Sequence, residues 1–147
     1  FASIANGGIR AEPRLVKRVG RKDIAVKEGK RVLSPIAAAE VARVMESVIE
    51  TDMGTGSKLR ITGYRLAGKT GTAQKVNAKT GKIGGGGYVS SFVGFVPANQ
   101  PRSVVLVMVD NPKGGKYYGS SVAGPVFTEM ARSIVRVLDI PTTVAAP

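Results

Sequence analysis

The first long element that the apolar pattern predicts is a helix. Ser34 suits the N-cap, and Pro35 suits the first turn, where a missing N–H costs nothing. The helix is expected to end near Thr51, before a glycine-rich stretch. Its apolar residues recur every three to four positions, which is the spacing of one helix face. They are Val41, Val44, Met45, Val48 and Ile49.

A second helix is predicted near the end of the chain. Pro125 opens it, and Pro141 stops it because proline cannot continue a helix. Its apolar residues again form a single stripe, which predicts burial of one face. They are Val126, Phe127, Met130, Ala131, Ile134, Val137 and Leu138.

Three segments between the helices have the patterns of strands. Residues 64–75 alternate and lack helix formers, and residues 88–96 form a second segment. Residues 103–109 are apolar on both faces, which predicts a fully buried strand. Residues 77–87 contain four consecutive glycines and are predicted to form a loop. Because the connections are short and lack helices, we expect a three-stranded antiparallel meander with the last helix across one face.

Shorter predictions complete the chain. Residues 1–8 are typical of the last turns of a helix with glycine at its end, and residues 142–147 of a mobile tail. Strands are predicted within residues 14–19 and 24–26, and a further short strand within residues 57–62. Together these patterns predict a mixed α+β fold, an antiparallel sheet with packed helices.

Charge adds one alternative function. The chain of 147 residues carries a net charge of +12, and residues 10–31 hold nine Lys/Arg against three Asp/Glu. Such a cluster suits a basic nucleic-acid-binding or lipid-binding module. Because no aromatic residues lie among these charges, a solvated basic hairpin is favoured and no nucleic acid is expected as a partner. The absence of His and Cys removes the usual general base, disulfides and thiolate metal sites.

A second alternative is a nucleotide-binding loop. Residues Gly63 to Thr70 fit the pattern G-x-x-x-x-G-K-[ST]. A phosphate loop needs a buried strand before its first glycine and a helix that begins at the Lys-Thr pair. Residues 57–62 are a poor buried strand, and no helical period follows Thr70. The nucleotide-binding hypothesis therefore stays an alternative.

The tripeptide Lys-Thr-Gly occurs twice. Lys69-Thr70-Gly71 lies within a predicted strand, and Lys79-Thr80-Gly81 lies in the predicted loop. Lys-Thr-Gly is one of three motifs that build the acyl-transfer site of penicillin-binding proteins and serine β-lactamases. The second copy is interpreted as accidental, because a tripeptide is short and a loop is the wrong context.

Residues 67–75 are similar to the Lys-Thr-Gly strand of class B penicillin-binding proteins, the division-type transpeptidases. The likeness continues in the same order along nearly the whole chain, in residues 1–8, 54–56, 91–98, 101–110, 116–120 and 123–127. The resemblance implies that residues 1–147 are the C-terminal part of a transpeptidase domain with a penicillin-binding-protein/β-lactamase-like fold. No serine here begins Ser-x-x-Lys or Ser-x-Asn. The resemblance implies that the N-terminal part of the domain and the nucleophile motifs lie upstream.

Strand geometry and the resemblance agree on the candidate site. Side chains alternate along a strand, so Thr70 and Thr72 project to one face, where two hydroxyls can hold a carboxylate. Gly71 lets a ligand backbone approach the strand. The resemblance implies catalytic roles for Lys69, whose ammonium it places in the cleft, and for Thr72, whose N–H it makes an oxyanion donor. Strict alternation would send Lys69 to the other face.

Three tyrosines are further candidates for substrate binding. The resemblance places Tyr88 at the end of a mobile loop beside the cleft. It places Tyr117 and Tyr118 in an aromatic wall after the predicted buried strand. Tyrosines that simply cap the core are the alternative.

The resemblance also implies the activity of the whole protein. It would be a peptidoglycan D,D-transpeptidase of septal wall synthesis that forms a serine acyl-enzyme, and this segment alone is expected to be inactive. Its expected partners are the stem peptide, β-lactams, the missing N-terminal part of the domain and divisome membrane proteins. It would be anchored in the bacterial inner membrane with its catalytic domain in the periplasm, and no metal or organic cofactor is expected.

Overall fold

In the computed structural model, which describes residues 1–143, helices pack on both sides of an antiparallel sheet. The helices are α1 (Ala2–Ala5), α2 (Pro35–Glu50), α3 (Gly119–Val122) and α4 (Gly124–Val137), with a 3-10 turn at Ser57–Leu59. The strands are β1 (Ile9–Arg10), β2 (Arg18–Val19), β3 (Lys22–Asp23), β4 (Lys30–Arg31), β5 (Ala67–Val76), β6 (Ile83–Val96) and β7 (Ser103–Asp110). The mixed α+β prediction is confirmed.

The predicted three-stranded meander is also confirmed. Strands β5, β6 and β7 lie side by side in that order and pair antiparallel. One face of this sheet, the α4 face, carries Phe92, Val105 and Val107, and Phe92 packs on Phe127 of α4 with ring centroids 4.8 Å apart. The opposite face, the α2 face, packs Phe95 against Met45 of α2. A large core lies under α4 and also contains Ile49 from the end of α2, and a smaller core lies between α2 and the opposite face of the sheet.

Both long helices lie where they were predicted. The Ser34 hydroxyl accepts a hydrogen bond of 3.1 Å from the Ala37 N–H, which satisfies one of the unpaired donors of the first turn of α2. The predicted stripes are too wide, because only part of each is buried. The buried residues of α2 are Ala38, Met45 and Ile49, and those of α4 are Gly124, Phe127, Thr128, Ala131 and Val135.

The prediction that residues 103–109 are buried on both faces is wrong. In β7, Val105 and Val107 are buried on the α4 face, whereas Leu106 and Met108 on the α2 face are 58% and 62% exposed. Helix α2 packs near Phe95 and does not reach these two side chains. An apolar run alone does not say which of its faces is covered.

The prediction of a loop over residues 77–87 is wrong for its second half, because β6 begins at Ile83. Gln74 pairs with Tyr88 and Val76 pairs with Ile83, so Lys75 alone lies opposite residues 84–87. Those four glycines form a large bulge, and three of them have φ between 72° and 93°, a backbone conformation that glycine adopts without strain.

The shorter predictions have mixed outcomes. Helix α1 with glycines after it agrees with the prediction for residues 1–8, and the short β2 lies within residues 14–19. The strand predicted at residues 24–26 is wrong, because β2 pairs with Lys22–Asp23 across a tight turn. The strand predicted at residues 57–62 is wrong, because that segment begins with the 3-10 turn.

The C-terminal segment is partly fixed. Thr143 donates its N–H to the Gly63 carbonyl at 2.8 Å and accepts from the Arg65 N–H at 3.3 Å, so the mobile tail predicted from residue 142 does not begin there. Residues 144–147 lie outside the described residues. Within residues 1–143, no helix is long and apolar enough to cross a membrane.

Candidate functional site

The first Lys-Thr-Gly tripeptide lies in the middle of β5, at an edge of the meander. Lys69, Thr70 and Gly71 pair in regular antiparallel register with Val93, Phe92 and Ser91 of β6. No helix begins at Lys69 or Thr70, which lie inside a ten-residue strand. The nucleotide-binding hypothesis for Gly63 to Thr70 is therefore wrong, because a phosphate cradle needs a helix N-terminus at this point.

Thr70 and Thr72 project to the α4 face, as strand alternation requires. They lie opposite Phe92 and Ser90 on that face, and their Cα atoms are about 7 Å apart along the strand. Thr72 is exposed and Thr70 is half-buried. The two hydroxyls therefore line an accessible part of the edge strand.

The Lys69 side chain begins on the α2 face and returns to the tripeptide. Its Nζ lies 2.9 Å from the Thr70 carbonyl oxygen and 3.4 Å from Thr70 Oγ1. Alternation fixes only the Cβ direction, and four methylenes let the ammonium cross the strand edge. One positive charge and two hydroxyls thus lie along the exposed edge of β5.

Gly71 is favoured by its neighbour on β6. A Cβ at position 71 would meet Ser91 Oγ at well under van der Waals distance. The Ser91 hydroxyl would therefore have to rotate away, or the strands would have to shift, before a residue with a side chain could fit at position 71. That constraint adds to the open approach that a glycine gives to a ligand backbone.

The segment of residues 117–119 crosses the α4 face beside the candidate site. The Gly119 N–H donates to Thr72 Oγ1 at 3.1 Å, and the Ser90 hydroxyl donates to the Tyr117 carbonyl oxygen. Neither contact is visible in the sequence, because the partners are 47 and 27 positions apart. The available signal is a pair of serines at the centre of an otherwise apolar strand, one of which must face the core.

The three predicted tyrosines lie together. Tyr88 and Tyr117 stack with ring centroids 4.3 Å apart, and the Tyr117 and Tyr118 centroids are 4.6 Å apart. The hydrogen bond to the Tyr118 hydroxyl raises the pKa of Tyr117, and the charges of Tyr118 and Tyr88 raise it further. Tyr117 and Tyr118 directly precede Gly119, whose N–H contacts Thr72 Oγ1. The three tyrosine rings therefore border the Thr72 hydroxyl.

The second Lys-Thr-Gly tripeptide has a different environment. Asn77 Oδ1 accepts from the backbone N–H groups of Lys79 and Thr80 at 2.9 and 3.3 Å, which forms a turn at the tip of the β5–β6 hairpin. Gly81 has φ +68° and has open space around it. This copy closes a turn, which supports its interpretation as accidental.

The chemistry that the β5 edge supports is the binding of an anionic group. An ammonium and hydroxyl donors on one strand give charge-assisted hydrogen bonds to a carboxylate, and an extended peptide can align with the edge of a sheet. Among residues 1–143, no group of three or more acidic side chains is placed to hold a metal ion.

The chain belongs to the penicillin-binding protein transpeptidase domain family, whose model matches residues 1–132. It is 34% identical to penicillin-binding protein PbpB of Mycolicibacterium smegmatis over 96% of this chain and 24% of that protein. It is 39% identical to the peptidoglycan D,D-transpeptidase FtsI of Escherichia coli over 76% of this chain and 18% of that protein. The chain thus spans a quarter or less of the length of these curated relatives.

Solved structures give the same family and the same fold. Penicillin-binding protein 3 of Mycobacterium tuberculosis, in complex with aztreonam, has a TM-score of 0.82 and 30% identity over 97% of this chain and 34% of that chain. The transpeptidase domain of penicillin-binding protein 3 from Burkholderia pseudomallei has a TM-score of 0.80 and 35% identity over 97% and 41%. The resemblance to class B penicillin-binding proteins is therefore confirmed.

Proposed function

We propose that the protein containing this chain is a peptidoglycan D,D-transpeptidase of septal wall synthesis. The observation that carries the proposal is the exposed edge of β5, where the Lys69 ammonium and the hydroxyls of Thr70 and Thr72 lie on one strand. Family membership supports the proposed reaction, because several relatives bear the name peptidoglycan D,D-transpeptidase.

In this proposal the edge binds the C-terminal carboxylate of a stem peptide. Thr70 and Thr72 donate their hydroxyl hydrogens to the carboxylate, and Lys69 supplies the opposite charge. The Thr72 N–H donates to the oxyanion that develops on the attacked carbonyl oxygen. The stacked rings of Tyr88 and Tyr117, with Tyr118 beside them, provide an apolar wall for the rest of the peptide.

The nucleophile is a serine on a preceding part of the protein. Its Oγ bonds to the penultimate D-Ala carbonyl carbon, the C–N bond to the terminal D-Ala breaks, and the serine proton passes through a base to the leaving amine. An acceptor amine then bonds to the same carbon, the ester bond between that carbon and Oγ breaks, and the proton that the amine loses passes through the base to Oγ. A β-lactam follows the first step, but its leaving amine stays tethered and the acyl-enzyme persists.

The setting of the enzyme is part of the proposal. Residues 1–147 form the C-terminal part of the transpeptidase domain, and the N-terminal part supplies the remaining walls of the cleft. The relatives include a stage V sporulation protein and the peptidoglycan D,D-transpeptidase FtsI. The proposal extends to a protein anchored in the bacterial inner membrane with a periplasmic catalytic domain, where peptidoglycan is built. Membrane proteins of the divisome are then its partners.

The test is covalent labelling of the intact protein with a fluorescent penicillin, measured as a rate on denaturing gels. Thr72→Val keeps the shape but removes the hydroxyl, so labelling should slow by about 10- to 100-fold, the loss of one hydrogen bond to a charged group. Thr80→Val, the same change in the second tripeptide, should stay within about twofold of the native rate. Intact protein should also release D-Ala from a peptide that ends in D-Ala-D-Ala.

Two results would overturn the proposal. One is the absence of any covalent adduct on the intact protein. The other is an equal labelling rate for Thr72→Val and Thr80→Val, whether both variants keep the native rate or both are slowed. Residues 1–147 alone should remain unlabelled, because this segment contains no Ser-x-x-Lys.

A further inference from the structure

We infer that Ser90 is a positioning residue for Thr72 and that it acts through residues 117–119. The inference rests on the proposed function, in which the Thr72 hydroxyl binds the ligand carboxylate. Ser90 lies on the central strand β6 and is fully buried, so it acts on a ligand through another residue.

Ser90 is a buried polar residue with one defined partner. Its relative exposure is 0%, in the part of β6 that also contains the buried Phe92. A buried hydroxyl without a partner is costly, and Ser90 meets this need by donating to the Tyr117 carbonyl oxygen. Ser90 also lies directly opposite Thr72 in the β5–β6 register, on the same face. Neighbouring hydroxyls on two strands therefore both hold the same segment.

The other end of that segment is held by Thr72 itself. Gly119 donates its N–H to Thr72 Oγ1 at 3.1 Å and is buried. A Cβ on Gly119 would lie 2.6 Å from the Gly71 carbonyl oxygen and 3.0 Å from the Gly71 nitrogen, so only glycine can lie this close to the strands. Ser90 fixes the segment at Tyr117, two residues from the donor that contacts Thr72.

This arrangement orients the Thr72 hydroxyl. A threonine hydroxyl has one hydrogen to donate and two lone pairs that accept. The Gly119 N–H occupies a lone pair and leaves the hydrogen to donate to a ligand at the exposed edge. Removal of the Ser90 hydroxyl releases Tyr117, so the Gly119 N–H loses its fixed place over Thr72 and the hydroxyl rotates more freely.

The test compares acylation of the intact protein by benzylpenicillin, which carries a carboxylate, and by its uncharged methyl ester. Ser90→Ala should lower the acylation rate constant for benzylpenicillin by about five- to tenfold, part of the loss of a charged hydrogen bond. The rate constant for the ester should change by less than about twofold, since Thr72 has no carboxylate to bind. Ser91→Ala is the matched control: the next residue faces the other side, and both rates should stay within about twofold.

A double variant separates positioning from a general structural role. If Ser90 acts through Thr72, adding Ser90→Ala to Thr72→Val should change the benzylpenicillin rate by less than about twofold beyond Thr72→Val alone. The inference would be overturned if the two substitutions slowed acylation independently, so that their fold-losses multiplied in the double variant. It would also be overturned if Ser90→Ala slowed acylation equally for benzylpenicillin and its methyl ester.

Gly119→Ala decides the question if Ser90→Ala does not fold. The added methyl pushes residues 117–119 away from Gly71 and breaks the same contact with Thr72, so the same selective loss for benzylpenicillin is expected. A Gly119→Ala protein with native rates for both ligands would overturn the inference. Failure of the proposed function is distinguishable, because it would appear as native acylation in Thr72→Val, whereas failure of this inference alone leaves Thr72→Val impaired and Ser90→Ala native.

Discussion

The two Lys-Thr-Gly tripeptides of this chain have the same letters and different structures. Residues 69–71 lie inside an extended strand that pairs with β6, and residues 79–81 lie in a turn held by the Asn77 side chain. At the first copy the nearby Ser91 hydroxyl favours the glycine, and at the second a positive φ favours it. A short motif therefore has chemical meaning only when the flanking residues fix its backbone.

The largest difference between the copies should be in catalysis. Lys69→Ala removes the ammonium beside the Thr70 hydroxyl, so the rate of penicillin acylation of the intact protein should fall by about 100-fold. Lys79→Ala removes an exposed ammonium from the hairpin turn and should leave the rate within about twofold. Similar losses for both variants would mean that general positive charge, rather than this strand, attracts the ligand.

The next difference should be in stability. Gly71→Ala forces a methyl against Ser91 Oγ and should lower the free energy of unfolding by about 1–3 kcal/mol. Gly81→Ala meets open space but keeps a positive φ, so its cost should be about 1 kcal/mol. Denaturant unfolding of the intact protein measures both.

The origins of the two costs can be separated by one further change. Ser91→Ala removes the colliding oxygen, and the remaining Ser91 Cβ would lie 3.8 Å from the new methyl, an ordinary contact. Adding it should restore part of the stability that Gly71→Ala loses and none of the stability that Gly81→Ala loses. Restoration in neither case would place the strain of Gly71→Ala elsewhere in β5.

The smallest effect concerns the tyrosines that border the first copy. The fold raises the pKa of Tyr117 through its hydrogen bond to Tyr118, so the neutral form is favoured. The stability that Tyr117 gains from this hydrogen bond is therefore fully present below its unfolded-state pKa of about 10. It is lost as the pH rises through the pKa of Tyr117 in the folded protein. Tyr118→Phe should lower the Tyr117 midpoint toward about 10.

Absorbance titration of the intact protein gives that midpoint. The titration curve of the matching protein that also carries Tyr117→Phe is subtracted, both for the native protein and for Tyr118→Phe, so that only the Tyr117 signal remains. Tyr64→Phe is the control and should leave the Tyr117 midpoint unchanged, because the Tyr64 hydroxyl donates its hydrogen bond to the Ile140 carbonyl oxygen on another part of the fold. An unchanged midpoint in Tyr118→Phe would mean that Tyr118 is not the cause of the shift.

Local signals predicted the elements that carry the site. Ser34 and Pro35 gave the start of α2, and alternation placed Thr70 and Thr72 on one face of a strand. These features depend on neighbours in the chain, which a sequence shows directly. The burial of the two faces of β7 depends on where α2 ends its packing, and a run of apolar residues contains no such information.

The environment of the candidate site was less predictable. The contacts of Ser90 with Tyr117 and of Gly119 with Thr72 join residues that come together only after β7 returns the chain across the sheet. The Lys69 ammonium reached Thr70 because a long side chain can cross a strand edge, which alternation does not describe. The roles of these residues toward a substrate remain predictions for the acylation experiments.

The glycine bulge opposite Lys75 has a consequence for how this hairpin can change in length. Pairing up to Gln74 and Tyr88 is regular, and the four glycines opposite Lys75 absorb the difference in length before pairing resumes at Val76. Deletion or insertion of a glycine there would change the size of the bulge. It would leave Thr70 and Thr72 paired with Phe92 and Ser90. Evolution can therefore lengthen or shorten the hairpin tip without moving the residues that line the edge of β5.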